Sequence, residues 1–67
     1  MKVREVIRML ERGGWSLDRQ RGSHRQFRNP RFPGTVTVSG KPSDEVPPGT
    51  LASIMRQAGR SGEGERD

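Results

Sequence analysis

The apolar residues at the start of the chain fall on a single stripe. Val3, Val6, Ile7 and Leu10 recur at i, i+3, i+4 and i+7, the spacing that lines one face of an α-helix. Lys2, Arg4, Glu5, Arg8, Glu11 and Arg12 fill the other positions, and Arg8 and Glu11 are close enough for a weak pairing. Gly13-Gly14 supplies the stop, since glycine takes the left-handed C-cap conformation at little cost. From Trp15 the period changes to two. Trp15 and Leu17 alternate with Ser16, Asp18 and Gln20, as in a half-buried strand, and Gly22 marks a turn. A second strand is expected from His24 to Asn29, anchored by Phe27. Pro30 and Pro33-Gly34 break it, and the β-branched run Thr35-Val36-Thr37-Val38 makes a third. Gly40 to Gly49, with Pro42, Pro47 and Pro48, reads as a loop. Thr50 is placed to N-cap a last helix, in which Leu51, Ile54, Met55 and Ala58 repeat the helical stripe, and Gly59 ends it.

The order α-β-β-β-α specifies an α+β domain: a three-stranded antiparallel sheet with two helices on one face, because only one face is apolar. Register follows from the need to keep Trp15, Leu17 and Phe27 together. A three-residue loop, Arg21-Gly22-Ser23, does this and sets Gln20 opposite His24, Asp18 opposite Gln26 and Ser16 opposite Arg28. A four-residue loop would put Leu17 with His24 and Gln26, mixing core and solvent positions. The favoured register leaves an open polar face of His24, Gln26, Arg28, Ser16, Asp18, Gln20, Thr35 and Thr37. Arg25 falls on the core side, where its long stem lets the charge snorkel out.

Sixty-seven residues, 27% of them hydrophobic, make one small domain near the size at which a single core is self-supporting. There is no cysteine, so neither a disulfide nor a thiolate-bound metal contributes. No apolar run approaches a membrane span and no signal peptide opens the sequence, so a cytoplasmic protein is expected. Residues 61–67 lack any apolar side chain and are expected to be a disordered tail beyond a domain of residues 1–60. Net charge is +5 from 13 basic and 8 acidic residues, and the tail is slightly acidic, which concentrates the positive charge on the domain. That excess fits a polyanionic partner, of which nucleic acid is the commonest.

The candidate chemistry centres on the one histidine. His24 lies in a stretch from Arg19 to Arg31 that holds five arginines and no acidic residue. Imidazole, with an unperturbed pKa of about 6.5, is suited to proton transfer at neutral pH, and guanidinium groups beside it would hold a phosphate. This combination suggests a small ribonuclease; the plainer reading is a surface histidine on a basic protein. With one histidine, no cysteine and no carboxylate cluster, the donors for two-metal phosphodiester cleavage are missing. RNA brings its own nucleophile, the 2′-hydroxyl, so the protein needs to accept that proton, steady the charge on phosphorus and help the 5′-oxygen leave. His24 suits the first or last task; Arg28, Arg25, Arg21 or Lys41 suits the second. Asp18 is a candidate to orient the imidazole, against its reading as a solvated strand residue. Trp15 and Phe27 belong to the core rather than to a base-stacking platform, and Gly22 to a turn.

Three stretches of the sequence resemble the HicA-type toxins, the messenger-RNA-cleaving half of bacterial HicA/HicB toxin–antitoxin pairs. They are Val3 to Leu10 with Gly14-Trp15, Gly22-Ser23-His24-Arg25-Gln26-Phe27, and Pro48-Gly49-Thr50-Leu51 through Gly59. The resemblance implies a fold like the double-stranded-RNA-binding domain, a catalytic His24, an mRNA substrate and a HicB-like antitoxin that neutralises the toxin. Phosphate contacts are assigned to Arg21, Arg25, Arg28, Lys41 and Gln26; no metal and no cofactor are expected. Many members of the family carry a second histidine shortly after the third strand. Ser39-Gly40-Lys41-Pro42 stands there instead, so that role is absent or passes to Lys41. The alternative to a metal-independent endoribonuclease is a noncatalytic RNA-binding module, since A-form RNA can be recognised by shape and basic side chains alone. A DNA-binding reading lacks a recognition helix, as the exposed side of the last helix offers only Arg56 and Gln57. Ending the chain at Arg60 should leave the melting temperature and RNA cleavage nearly unchanged; a loss of several degrees would show that the tail packs on the domain.

Overall fold

The computed structural model describes residues 1–59 and has the anticipated order: α1 (Val3–Arg12), β1 (Ser16–Arg21), β2 (His24–Asn29), β3 (Phe32–Val38) and α2 (Pro48–Gln57). The strands form one antiparallel sheet in the order β1-β2-β3. Val3, Val6 and Leu10 of α1 and Ile54 and Ala58 at the end of α2 join Phe27, Val36 and Val38 of the sheet in a single core, so both helices cover the same face. Trp15 and Val46 complete it. The anticipated tail, residues 61–67, and the domain limit at residue 60 lie outside the described residues. No helix among the described residues is long and apolar enough to cross a membrane.

The loop after β3 is more than a connection. It supplies the acceptors that the first turn of α1 lacks: Val3 N–H donates to Asp44 carbonyl (2.9 Å) and Arg4 N–H to Pro42 carbonyl (3.1 Å). Glu5 reaches back to accept the Lys2 N–H at 2.6 Å, and this bond is the main reason its carboxyl titrates below the ordinary glutamate range. The contact therefore supports the helix at neutral pH and is lost as acid protonates Glu5 through that lowered value.

Four local expectations are corrected. The turn between β1 and β2 has two residues, Gly22-Ser23, rather than three: Arg21 pairs with His24, Gln20 with Arg25 and Arg19 with Gln26. Gly22 takes a positive φ of 59°, the conformation that a two-residue hairpin turn requires. The residue gained by the tighter turn is absorbed by a bulge at Asp18, beyond which Leu17 pairs with Phe27 and Ser16 with Arg28. Second, Leu17 shares the face of Phe27 but is 50% exposed, because all six residues of the edge strand β1 are exposed and neither helix covers it. Third, β3 begins at Phe32, not Thr35. Pro33-Gly34 is taken up as an irregularity between the Phe27–Val36 and Asn29–Phe32 pairs, which an edge strand tolerates because its proline owes no ladder bond. Fourth, Thr50 is not the N-cap of α2. The helix starts at Pro48 behind Pro47, where the missing proline N–H would have no partner anyway.

Asn29 is the one buried polar side chain among the described residues, at 4% exposure. Its Nδ2 donates to the Gly13 carbonyl (3.0 Å) and its Oδ1 accepts the Arg31 N–H (2.9 Å). The bond passes close to Gly14, whose φ of 95° excludes most side chains and where a Cβ would stand 3.2 Å from Asn29 Nδ2. Beside it the rings of Trp15 and Phe32 stack, with centroids 5.7 Å apart and planes 7° from parallel. Asn29→Ala leaves a carbonyl and an N–H without their partner, so unfolding in urea should show a loss of about 1–3 kcal/mol. An unchanged midpoint would show that water replaces both bonds freely.

Candidate nucleic-acid interface

Residues directly opposite in an antiparallel pair share a face, and this decides what surrounds His24. On the face away from the helices, β2 presents His24, Gln26 and Arg28. Across from them on β1 stand Arg21, Arg19 and Ser16, and on the β3 side Thr37 lies opposite Gln26. Neighbours on this face are about 5 Å apart across strands and about 7 Å apart along one. His24, Gln26, Arg28, Arg19, Arg21 and Thr37 are all exposed.

The bulge at Asp18 thus changes the chemistry of the face. Asp18 and Gln20, anticipated opposite Gln26 and His24, are displaced, and Arg19 and Arg21 take those places. Gln20 instead pairs with Arg25, and its Nε2 donates to the Gly22 carbonyl at 3.0 Å. Asp18 is the unpaired residue of the bulge, and its carboxylate makes no hydrogen bond or ion pair among the described residues. The result is Arg21 directly across from His24, Arg19 one pair further along and Arg28 at the far end of the same row, with no carboxylate among the residues paired on that face. The guanidinium groups of Arg19, Arg21 and Arg28 make no hydrogen bond or ion pair among the described residues, so they are available to an anion.

The anticipated phosphate ligands separate into two groups. Arg21 and Gln26 are neighbours of His24 on the open face, and Arg28 lies on that face four residues further along β2. Arg25 is not: it lies on the Phe27 side, half-buried, and its Nη1 donates to the carbonyls of Gly40 (2.9 Å) and Ser23 (3.4 Å). Its stem does carry the charge past the edge of the core, but to a backbone carbonyl. Lys41 is exposed in the loop beyond β3, where its backbone N–H donates to Asp44 Oδ2 (3.0 Å).

Two site residues escape the sequence reading. Arg19, which a three-residue loop would turn to the opposite face, stands across from Gln26. Ser39, just past β3, places its Oγ 3.1 Å from His24 Nδ1. Of the four residues after β3, Ser39 is the one whose side chain hydrogen-bonds the imidazole, and it directly follows Val38, which pairs with Arg25.

Other features do not compete for this role. A cavity of about 160 Å³ lies on the helix side, lined by Met9, Leu10, Gly13, Trp15, Arg31, Phe32 and Ala58, and shares no residue with the His24 face. Among the described residues no three histidine, cysteine or acidic side chains cluster as metal ligands would. Trp15 and Phe27 are both buried, at 4% and 1% exposure, so neither offers a ring to a base.

No curated relative matches the chain. A family model described as "HicA toxin of bacterial toxin-antitoxin" matches residues 3–59 of the 67, which spans both helices and the whole sheet, and the chain therefore belongs to the HicA toxin family.

Proposed function

We propose that this toxin is a metal-independent endoribonuclease that cleaves mRNA with His24 as its proton-transfer group. The observation that carries the reading is the composition of the open face: one exposed imidazole with Arg21 directly across from it, Arg19 and Arg28 further along the same face, and no paired carboxylate. A phosphodiester held on these guanidinium groups sits beside His24. The RNA 2′-oxygen attacks phosphorus as its proton leaves, and the 5′-oxygen departs as it gains one; the imidazole accepts or returns a proton at one of these steps. The arginines supply fixed positive charge where negative charge accumulates on the phosphorus oxygens. Gln26, between Arg19 and Thr37, adds an amide able to bond the sugar or a phosphate oxygen. Arg25 and Lys41 remain secondary candidates for phosphate contact, since one is turned to Gly40 and the other stands in the loop.

His24→Ala should reduce cleavage of labelled mRNA by about 10²–10⁴-fold while leaving fold and RNA affinity intact, because the side chain is exposed. Arg28→Ala should weaken RNA binding and lower its salt dependence by about one counterion. Wild-type cleavage should persist in EDTA and vanish on RNA whose 2′-hydroxyls are methylated. A folded His24→Ala protein that cleaves at the wild-type rate would remove His24 from the mechanism. Binding without cleavage under all conditions would favour a noncatalytic RNA-binding module.

Membership of the family implies a cognate antitoxin. We infer that it is HicB-like and acidic, and that it covers the His24 face, where three unpaired arginines attract carboxylates as readily as phosphates. A partner that binds only the folded toxin raises its apparent stability. In the complex the toxin should melt at a higher temperature and His24 should be shielded from diethylpyrocarbonate. An inhibited complex in which His24 reacts as fast as in the free toxin would exclude occlusion.

A further inference from the structure

We propose that Ser39 is a positioning residue for His24: its hydroxyl oxygen accepts the Nδ1–H of the imidazole and so reserves Nε2 for proton transfer. The inference rests on the ribonuclease reading for its kinetic consequence, but its structural content stands on the contact itself. Ser39 Oγ lies 3.1 Å from His24 Nδ1, just beyond the Arg25–Val38 pair that closes the β2–β3 ladder at this end. Nδ1 is the ring nitrogen nearer the backbone and is the one within reach of an adjacent strand. Nε2 is the distal one and has no partner among the described residues, so it is the nitrogen that a bound phosphodiester meets.

The role of Ser39 as acceptor follows from the proton cycle. A hydroxyl can donate or accept. If it donated to Nδ1, the neutral ring would carry its proton on Nε2 and have no lone pair to offer there, and the bond would have to reverse when the ring became imidazolium. If it accepts, Nδ1 keeps its proton in both states and only Nε2 gains and loses one. The bond at one nitrogen sets the task of the other. The same bond fixes the ring plane, which an exposed histidine otherwise leaves free.

The backbone that carries Ser39 is itself held. Gly40 takes a φ of 105°, and its carbonyl accepts the Arg25 guanidinium at 2.9 Å. Lys41 N–H and the Asp44 carboxylate close the next turn at 3.0 Å. Thus His24 and Arg25, consecutive on β2 and on opposite faces, both bond to the segment just past β3: one through Ser39, the other through Gly40. Arg25 supports the site from beneath without touching the open face.

His24 is the only histidine in the chain, so its ring nitrogens can be read without assignment by long-range ¹H–¹⁵N NMR. At a pH where the ring is neutral, wild type should show the Nδ1–H tautomer as the major form. Ser39→Ala should shift the ring towards the Nε2–H tautomer that free histidine prefers, and Ser39→Thr, which keeps the hydroxyl, should restore the wild-type pattern. With mRNA, Ser39→Ala should lower kcat about tenfold with little change in KM, and Ser39→Thr should recover most of the loss. A wild-type and a Ser39→Ala protein with the same tautomer populations would overturn the proposal. So would a threonine variant that behaves as the alanine one does. If His24→Ala retains full activity, the proton-transfer role of His24 fails, while the tautomer measurement still reports whether Ser39 directs the ring.

Discussion

The buried amide of Asn29 joins the two turns on which everything else is hung. Through Gly13 it holds the end of α1, and through Arg31 it holds the β2–β3 turn. Trp15 and Phe32, stacked next to it, come from the same two places in the chain. A core of ten side chains, of which only Trp15 and Phe27 are aromatic, leaves little apolar area to specify how helix and sheet meet. A buried amide adds direction to that contact, because it is satisfied in one arrangement and costly in the others. The sheet is thereby held against the helices by its Asn29 end, and the opposite end, with His24 and the Gly22 turn, is left open to solvent.

What that open end presents is decided by one residue of strand geometry. The tight Gly22-Ser23 turn sets Arg21 against His24, and the bulge at Asp18 lets Leu17 nonetheless stay opposite Phe27. Core side and open side thus keep the same alternation on the two sides of an insertion. Without the bulge, the same turn would pair Leu17 with Arg28 and put leucine among the arginines.

The architecture was legible from periodicity alone, because helical stripes such as Val3-Val6-Ile7-Leu10 and the Thr35–Val38 alternation have no other good solution. The position of His24 on the open face was legible too, as it lies an odd number of residues from Phe27. The identity of its neighbours was not. A bulge costs nothing visible in a sequence: Asp18 differs in no obvious way from a paired strand residue, and both registers bury Trp15 and Phe27. Gly22 held the missing signal, since a glycine in the first position of a two-residue turn is the usual hairpin chemistry. Asn29 read as a strand end for a similar reason, because its partners Gly13 and Arg31 are set by tertiary contact rather than by local spacing. Ser39 carries no comparable signal, because its approach to His24 depends on where the β2–β3 pairing ends and not on any local pattern in the sequence.

The two edges of the sheet are finished differently, and this bears on how the protein avoids itself. Along β3 the Thr37 N–H donates to Gln57 Oε1 of α2 (3.4 Å), and Pro33 offers no N–H at all. Along β1 no helix intervenes, and the strand would be a ready template for a second copy. The bulge twists that edge out of line, and Arg19 and Arg21 set like charges on both sides of any self-pairing. The insertion that sets Arg19 and Arg21 on the face of His24 therefore also makes this edge a poor template for strand pairing with a second copy.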